Sequence, residues 1–184
     1  MRKTTEVEMS SYLIDKKAIV LIGMPGAGKS TIGVLLAKTL SRGFLDTDIW
    51  IQSQEGKRLQ EILDELGPQD FCKMEEEYLC SIKPEPIVIA TGGSAVYCQR
   101  GMGYLKTFGT IILLDILLHT LKERLSDLGT RGVVMEKGQS FEKLYADRMP
   151  LYKKFADFTV DCSGLRHEEV VDMIVEYLGK RGML

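Results

Sequence analysis

The sequence predicts a three-layer α/β/α fold in which helices cover both faces of a parallel sheet. Short, continuously apolar runs alternate with longer stretches of helical periodicity, and several of these runs end in glycine-rich turns. A continuous apolar run is typical of a strand that is buried on both faces. Strands that alternate with helices form parallel sheets with right-handed crossovers, and ligands of such sheets bind beyond the carboxyl ends of the strands.

The apolar runs and the periodic stretches place the individual elements. We expect strands over 18–22, 43–46, 86–90, 109–115 and 157–161. Helices are predicted over 31–40, 48–53, 59–82, 119–128, 140–155 and 167–180. In the first helix, Ile32, Leu35 and Leu36 lie on one face because their spacing is helical. Segment 129–138 is rich in glycine and charged residues, so we expect it to be mobile.

The composition is that of a single globular domain, residues 1–184, with 45% hydrophobic and 27% charged residues. A net charge of -2 gives no reason to expect nucleic acid or a membrane surface as a partner. The most apolar run, 111–118, is only eight residues long and is broken by Asp115, so it is too short to span a bilayer. Residues 1–17 lack the apolar core of a secretory signal. The four cysteines show no metal-binding spacing. We therefore expect free thiols in a cytoplasmic, monomeric protein.

The run "GMPGAGKST", residues 23–31, fits the phosphate-loop pattern G-x-x-x-x-G-K-[ST] in full. Backbone N–H groups of such a loop surround phosphate oxygens, the lysine reaches the β- and γ-phosphates, and the hydroxyl binds Mg²⁺. A chance glycine-rich turn is the alternative, but a buried strand precedes the run and an amphipathic helix follows it. We expect a nucleoside triphosphate to bind here, at Gly26, Ala27, Gly28, Lys29, Ser30 and Thr31.

The class of phosphate-loop protein is narrowed by two motifs that the sequence does not contain. It has no N-K-x-D motif of the kind that selects guanine, and no apolar run ending in Asp-Glu of the kind found in large ATPases. A chain of 184 residues with this loop is therefore interpreted as a small-molecule phosphotransferase.

Two further candidate sites follow the next two strands. "LDTD" places Asp46 and Asp48 where one carboxylate can support Mg²⁺ and the other can deprotonate an acceptor hydroxyl. The alternative is that Thr47 or Asp48 only caps a helix. "ATGGSAV" (90–96) contains adjacent glycines, which permit close backbone approach to a ligand. Its alternative is a tight turn that is capped by a hydroxyl of Thr91 or Ser94.

Taken together, these motifs resemble the shikimate kinases, which are relatives of the nucleoside monophosphate kinases. The resemblance runs from about residue 18 to residue 175 and includes "GMPGAGKSTIG", "FLDTDIWIQSQEGKRLQEI", "ATGGSAV", "RMPLY" and "ADFTVD". It implies a P-loop fold with a five-stranded parallel sheet, a helical substrate-binding segment over 47–82 and a lid over 129–138. It also implies transfer of the γ-phosphate of ATP to the 3-hydroxyl of shikimate, with Mg²⁺ present.

The resemblance implies a role for each matching residue. Lys29 and Ser30 would serve the phosphates and Mg²⁺, and Asp46 would support the metal through water. Asp48 would bind the acceptor hydroxyls and act as the base. The acceptor would contact Phe71, Gly92 and Gly93, and its carboxylate would be bound by Arg148. Arg131 in the lid would stabilise the charge of the transition state, and Arg124 would pack against adenine. A guanidinium suits a carboxylate because the two groups can form paired hydrogen bonds. Without the resemblance, solvated helix faces would explain these arginines.

Four positions depart from the family pattern, and three of them lie on the acceptor side. Cys72 stands in place of an arginine that helps to hold the acceptor carboxylate, Pro68 in place of a glutamate, and Ser94 in place of a third glycine. In the lid, "TRGVV" replaces an Arg-Pro pair. Lys73 is the nearest cation that can compensate for Cys72. Three functions therefore stay open: shikimate kinase, a kinase for another small hydroxylated acid or polyol, and a nucleotide-binding module without catalysis.

Overall fold

The computed structural model describes residues 18–128, 133–135 and 138–184, with the backbone alone described for 125–128. This part of the chain forms five strands and seven α-helices. The strands are β1 (Ala18–Ile22), β2 (Gly43–Asp46), β3 (Ile87–Ala90), β4 (Gly109–Asp115) and β5 (Phe158–Asp161). The helices are α1 (Lys29–Thr39), α2 (Thr47–Glu55), α3 (Leu59–Ser81), α4 (Gln99–Phe108), α5 (Leu118–Leu128), α6 (Phe141–Phe155) and α7 (His167–Lys180).

The strands form one parallel sheet in the order β2-β3-β1-β4-β5, which confirms the predicted five-stranded fold. In the central strand β1, Val20 is in register with Ile89 of β3 on one side and Ile111 of β4 on the other. Every residue of β1 is buried, as its continuous apolar run predicts. Because all strands are parallel, the loops that follow β1, β2 and β3 meet at the same edge of the sheet.

One helix, α4, was not predicted. It contains Gly101 and Gly103, which lower intrinsic helix propensity by about 1 kcal/mol each relative to alanine. Packing stabilises it instead: Met102 and Leu105 are completely buried, and a Cβ added at Gly101 would lie only 2.9 Å from Leu79 Cβ. Tertiary contact between α4 and α3 therefore overrides the weak local signal.

Helix α3 bends where the sequence predicted one uninterrupted helix. Gly67 has φ 73° and ψ 167°, outside the helical region, and Pro68 begins the second half. A left-handed φ is readily accessible to glycine, and proline suits the first turn because that turn needs no backbone donor there. In the second half Phe71, Glu75 and Leu79 form a buried stripe at successive four-residue steps.

A small second core lies apart from the main core around the sheet. It consists of buried residues from α2, α3 and the segment that precedes α6: Ile51, Leu59, Ile62, Leu63, Phe71 and Val134. Only 133–135 and 138 of the predicted lid lie within the described residues, so its mobility stays a prediction. Among the described helices, none combines the length and the apolar character that crossing a membrane requires.

Candidate active site

The predicted phosphate loop connects the central strand β1 to helix α1. Lys29, the first residue of α1, turns back over the loop, and its Nζ donates hydrogen bonds to the carbonyl oxygens of Gly23 (2.8 Å) and Met24 (3.0 Å). Burial lowers the pKa of Lys29 to about 8, although Asp48 and Asp46 oppose this shift. The ammonium group of Lys29 is therefore fixed at the phosphate loop and is mostly protonated at neutral pH.

Two side chains approach the outer side of this loop. Arg124 Nη1 in α5 donates a hydrogen bond to the Gly26 carbonyl oxygen at 3.2 Å. The imidazole of His167, the first residue of α7, lies beside Gly28, since a Cβ added there would be 3.5 Å from His167 Nε2. Sequence reasoning missed His167; the signal was that its helix begins shortly after the carboxyl end of a predicted strand. Ser30 and Thr31 are exposed on the first turn of α1.

The acid pair begins helix α2. Asp46 Oδ1 accepts hydrogen bonds from the backbone N–H groups of Asp48 (3.0 Å) and Ile49 (3.2 Å), so Asp46 is the N-cap. The alternative, in which Thr47 or Asp48 only caps this helix, is wrong, because the cap is Asp46. Thr47 Oγ1 instead accepts a hydrogen bond from the Gly92 N–H at 2.9 Å, which ties the acid pair to the turn after β3.

Asp48 does not cap the helix, and its side chain faces the interior of the site. The residue is half-buried, and protein atoms surround its carboxylate. Burial raises the pKa of Asp48 to about 6; Asp46 adds to the shift, whereas Lys29 and Arg148 oppose it. A carboxylate with a pKa near 6 is ionised at neutral pH and is a stronger base than an ordinary aspartate.

The glycine pair after β3 lies at the centre of the site. A Cβ added at Gly92 would lie 2.5 Å from Glu75 Oε1 and 2.6 Å from Asp48 Oδ1, so any larger residue would have to displace these carboxylates. A Cβ at Gly93 would lie 3.1 Å from Arg148 Nη1. The alternative of a tight turn is correct in part: the chain turns into a short 3₁₀ helix (Ala95–Tyr97) with Ser94 at its N-cap position. No hydroxyl caps this helix, because Thr91 Oγ1 donates to the Leu21 carbonyl and Ser94 Oγ donates to Glu75 Oε2.

Arg148 in α6 is completely buried, so the alternative of a solvated helix face is wrong for this residue. Its Nη2 donates a hydrogen bond to the Val134 carbonyl oxygen at 2.7 Å, and its guanidinium lies 5.1 Å from the centroid of the Tyr97 ring. Its Nε and Nη1 have no hydrogen-bond partner among the described residues. Tyr152, one turn further along α6, donates from its hydroxyl to the Gly93 carbonyl oxygen at 2.6 Å.

Glu75 in α3 is a residue of the site to which sequence reasoning gave no role. It is completely buried; its Oε2 accepts a hydrogen bond from Ser94 Oγ at 2.6 Å, and its Oε1 has no partner among the described residues. Burial raises the pKa of Glu75 to about 7, and Asp48 raises it further, whereas Ser94 opposes the shift. The missed signal was an acid at four-residue spacing between Phe71 and Leu79, on an otherwise apolar stripe.

The unpartnered atoms converge on this one place. Among the described residues, four buried side-chain polar atoms lack a hydrogen-bond partner: Glu75 Oε1, Arg148 Nε, Arg148 Nη1 and Ser163 Oγ. Three of the four belong to the two side chains that flank the glycine pair. Buried polar atoms are nearly always paired in native proteins, so such a cluster indicates a place where a ligand completes the hydrogen bonds. The ligand that fits carries an anionic group for the guanidinium and hydroxyl groups for the carboxylates.

Comparison with known families agrees with this geometry. A family model described as shikimate kinase matches residues 25–179, which is most of the chain. The chain belongs to the shikimate kinase family. Curated shikimate kinases include one from Thermodesulfovibrio yellowstonii that is 38% identical over 163 residues, covering 87% of this chain and 94% of that protein. One from Francisella tularensis subsp. novicida is 36% identical over 176 residues, covering 94% and 100%.

Solved structures of the shikimate kinase family superpose over most of the chain. The shikimate kinase of Acinetobacter baumannii, solved in complex with shikimate, has a TM-score of 0.82 at 27% identity and covers 93% of this chain and 98% of its own. The enzyme of Aquifex aeolicus has a TM-score of 0.73 at 30% identity, with 90% and 98% covered. A thymidylate kinase of Candida albicans, at 11% identity and a TM-score of 0.58, shares the fold alone.

Two of the departures from the shikimate kinase pattern, Pro68 and Cys72, lie on the wall of one cavity. Cys72 is half-buried and lines a cavity of about 780 Å³ together with Pro68, Tyr97, Val134 and Lys143. Burial raises the pKa of the Cys72 thiol to about 11, so this thiol is neutral at physiological pH. Lys73 does not replace the missing arginine, because it is exposed and pairs with Asp70 at 2.8 Å.

Two predicted residues need separate mention. Phe71, the predicted acceptor contact, is completely buried in the second core, where it packs among apolar residues of α2 and α3. Arg131, the predicted lid arginine, lies outside the described residues.

Proposed function

We propose that this protein transfers the γ-phosphoryl group of ATP to the 3-hydroxyl of shikimate and forms shikimate 3-phosphate, a step of aromatic amino acid biosynthesis. The observation that carries the proposal is the convergence of unpartnered buried atoms of Arg148 and Glu75 beside Asp48 and the phosphate loop. Membership of the shikimate kinase family supports the same reaction. A relative that shares 27% identity was solved with shikimate bound.

On the donor side, the backbone of residues 23–31 surrounds the β- and γ-phosphates, and Lys29 adds a positive charge. Its ammonium needs only to exchange two carbonyl partners, Gly23 and Met24, for phosphate oxygens. Arg124, which donates a hydrogen bond to the Gly26 carbonyl oxygen, is proposed to contact the adenine ring of ATP. These groups stabilise charge as it develops on the transferred phosphoryl group, which is the main work of a protein in phosphoryl transfer.

The residues proposed for Mg²⁺ fit this ion by their chemistry. Ser30 and Asp46 offer hard oxygen donors, and Mg²⁺ bound with a nucleotide takes one or two protein ligands while phosphates and waters supply the rest. The described residues contain no cluster of three or more His, Cys, Asp or Glu side chains for a metal ion. Bound Mg²⁺ would neutralise charge on the phosphate oxygens. Asp46 Oδ1 is already fixed by two backbone N–H groups, which orients this carboxylate.

On the acceptor side, Arg148 binds the carboxylate of the acceptor through the nitrogens that lack partners. Asp48 binds the reacting hydroxyl and accepts its proton, and its pKa of about 6 matches this duty. Gly92 and Gly93 let the ring approach the backbone closely. Arg131 is proposed to stabilise the transition state from the lid, and this role stays a prediction from the family pattern.

A phosphotransferase assay on the full chain tests the proposal. With ATP and Mg²⁺, we expect shikimate-dependent release of ADP and a singly phosphorylated product, measured by a coupled assay and by ³¹P NMR. Quinate and other hydroxy acids serve as competing acceptors. The proposal is wrong if millimolar shikimate supports no turnover, or if another acid is the better acceptor.

Replacing Asp48 by Asn separates catalysis from nucleotide binding. Loss of the base is expected to reduce kcat by about 10²- to 10⁴-fold while the affinity for ATP is retained. The matched control is Asp70→Asn, which removes an exposed carboxylate that forms an ion pair with Lys73 and should leave kcat unchanged. Equal effects of the two substitutions on kcat would remove the role proposed for Asp48.

A further inference from the structure

We propose that Glu75 is a positioning residue of the acceptor site, which takes up a proton from solvent when the acidic acceptor binds and so leaves the charge of Arg148 to the acceptor carboxylate. The inference rests on the proposed function, because it requires an anionic acceptor beside Arg148. It concerns a residue that is buried among the acceptor-binding groups and has no cation of its own.

The first support is how the carboxyl group of Glu75 is held. Its Oε2 accepts hydrogen bonds from two neutral donors, Ser94 Oγ at 2.6 Å and Cys98 Sγ at 3.8 Å. No cation lies within 4.0 Å of it among the described residues. These neutral donors orient the group and favour its ionised form, but they do not neutralise its charge as a cation would. They also leave Oε1 as the oxygen that can carry a proton.

The second support is the charge that surrounds Glu75 from every packed element. Asp48 faces it from α2, Lys29 from the end of the phosphate loop, and Arg148 from α6; the neutral Cys72, Cys98 and Tyr152 complete the surroundings. Lys29 is committed to the phosphate loop. If Glu75 were ionised, Arg148 would be shared between its carboxylate and that of the acceptor.

The third support is the state of the group before the acceptor arrives. Burial, with Asp48 as a second cause, already raises the pKa of Glu75 to about 7. An additional negative charge in the same pocket raises the pKa of a carboxyl group further. At pH 8 Glu75 is therefore mostly ionised in the free protein and gains a proton in the complex, whereas at pH 5.5 it is protonated in both states.

Isothermal titration calorimetry measures the proton directly. The full chain is titrated with shikimate, without nucleotide, at pH 8 in buffers of different ionisation enthalpy, and the slope of the observed enthalpy against the buffer enthalpy counts the protons. We expect uptake of a substantial fraction of one proton per site at pH 8, and almost none at pH 5.5.

Two substitutions assign that proton. Glu75→Gln keeps the shape and an oxygen acceptor for Ser94, so its uptake on binding shikimate should be smaller than that of the wild type by the share that Glu75 contributes. Lys29, whose pKa is about 8, accounts for any uptake that remains at pH 8. Ser94→Ala removes the hydrogen bond that lowers the pKa of Glu75. More of this variant is then protonated before binding, so its uptake at pH 8 should be smaller than that of the wild type. A purely structural role for Glu75 would change affinity but would not change the proton count.

The result that overturns the inference is shikimate binding at pH 8 without buffer dependence, or uptake in Glu75→Gln that is as large as in the wild type. Uptake that disappears in Asp48→Asn but persists undiminished in Glu75→Gln would place the proton on Asp48 and would also overturn it. If shikimate neither binds nor is phosphorylated, the proposed function fails and this inference falls with it, which is a different result from binding without a proton.

Discussion

The donor half and the acceptor half of the site satisfy their polar groups in different ways. In the donor half, Lys29 and Arg124 already hydrogen-bond to carbonyl oxygens of the phosphate loop itself. In the acceptor half, Arg148 and Glu75 are completely buried, yet three of their polar atoms have no hydrogen-bond partner in the described part of the chain. The donor site is therefore organised by its own backbone, whereas the acceptor site keeps hydrogen-bonding capacity for its ligand.

The same division separates the family pattern from its departures. The phosphate loop fits its pattern in full, while Pro68, Cys72 and Ser94 all lie on the acceptor side. Two of these changes meet at one group: Ser94 donates to Glu75, and Cys72 lies one helical turn before it. In the acceptor half, the neutral residues Pro68 and Cys72 therefore stand where the family pattern has charged ones, while the buried carboxyl group of Glu75 is present.

The largest expected effect is a loss of kcat/KM for shikimate in a variant that disturbs the acceptor half alone. Gly92→Ala inserts a Cβ that would lie 2.5 Å from Glu75 Oε1 and 2.6 Å from Asp48 Oδ1, so both carboxylates must move. Displacement of about 1 Å at a reacting group costs on the order of 100-fold in rate, and we expect kcat/KM for shikimate to fall by at least that factor. ATP affinity should be unchanged, as measured by equilibrium titration.

The matched control is Gly103→Ala in helix α4. A Cβ added there meets no atom within 4 Å, and alanine favours a helix over glycine by about 1 kcal/mol. This variant should keep full activity and melt at a slightly higher temperature. If Gly92→Ala behaves like the control, the close approach of the two carboxylates has no role in the reaction.

A smaller effect should restore a charge to the acceptor half. Cys72→Arg places a guanidinium on the wall of the 780 Å³ cavity, toward Glu75 and Arg148. A charge-assisted hydrogen bond to a carboxylate contributes about 1.5–3 kcal/mol, so KM for shikimate should fall by about 10-fold or more while KM for ATP stays constant. Cys80→Arg, on the same helix but outside the cavity lining, is the control. An unchanged KM for shikimate would mean that residue 72 does not face the acceptor carboxylate.

The smallest effect is on stability and depends on pH. The pKa of Glu75 is raised from 4.5 to about 7 in the folded protein, so between these values the folded state binds more protons than the unfolded state. The free energy of unfolding therefore falls as pH rises through this range, and the full stability is present only below pH 4.5. Glu75→Gln lacks this loss. At each pH, calorimetry gives the melting temperature of Glu75→Gln minus that of the wild type. We expect this difference to be at least about 3 °C larger at pH 8 than at pH 5.

The control for this measurement is Glu77→Gln, an exposed position two residues along the same helix. Its melting temperature should follow that of the wild type at both pH values. A difference between Glu75→Gln and the wild type that is independent of pH would mean that folding does not raise the pKa of Glu75 and that its carboxylate is ionised in both states over this range.

The strands and the phosphate loop were predictable because their signals are local. Buried parallel strands appear as continuous apolar runs, and the loop motif fixes its own geometry between β1 and α1. Helix α4 was not predictable from propensity, because its two glycines are stabilised only by packing against α3. Asp46 and Asp48 were found as a pair, but only their fold separates the cap from the candidate base. Glu75 lies between two partly buried neighbours, and it contacts Ser94 and Cys98, which come from distant parts of the chain.

Steady-state kinetics of two arginine variants tests the division of the site most directly. In Arg148→Gln, loss of charge-assisted bonds should raise KM for shikimate by about 10- to 150-fold, with KM for ATP within about 3-fold of the wild type. In Arg124→Gln, which loses the contact beside Gly26, KM for ATP should rise and KM for shikimate should stay constant. If Arg148→Gln leaves KM for shikimate unchanged, or raises both constants equally, Arg148 does not bind the acceptor and the account of the acceptor half is wrong.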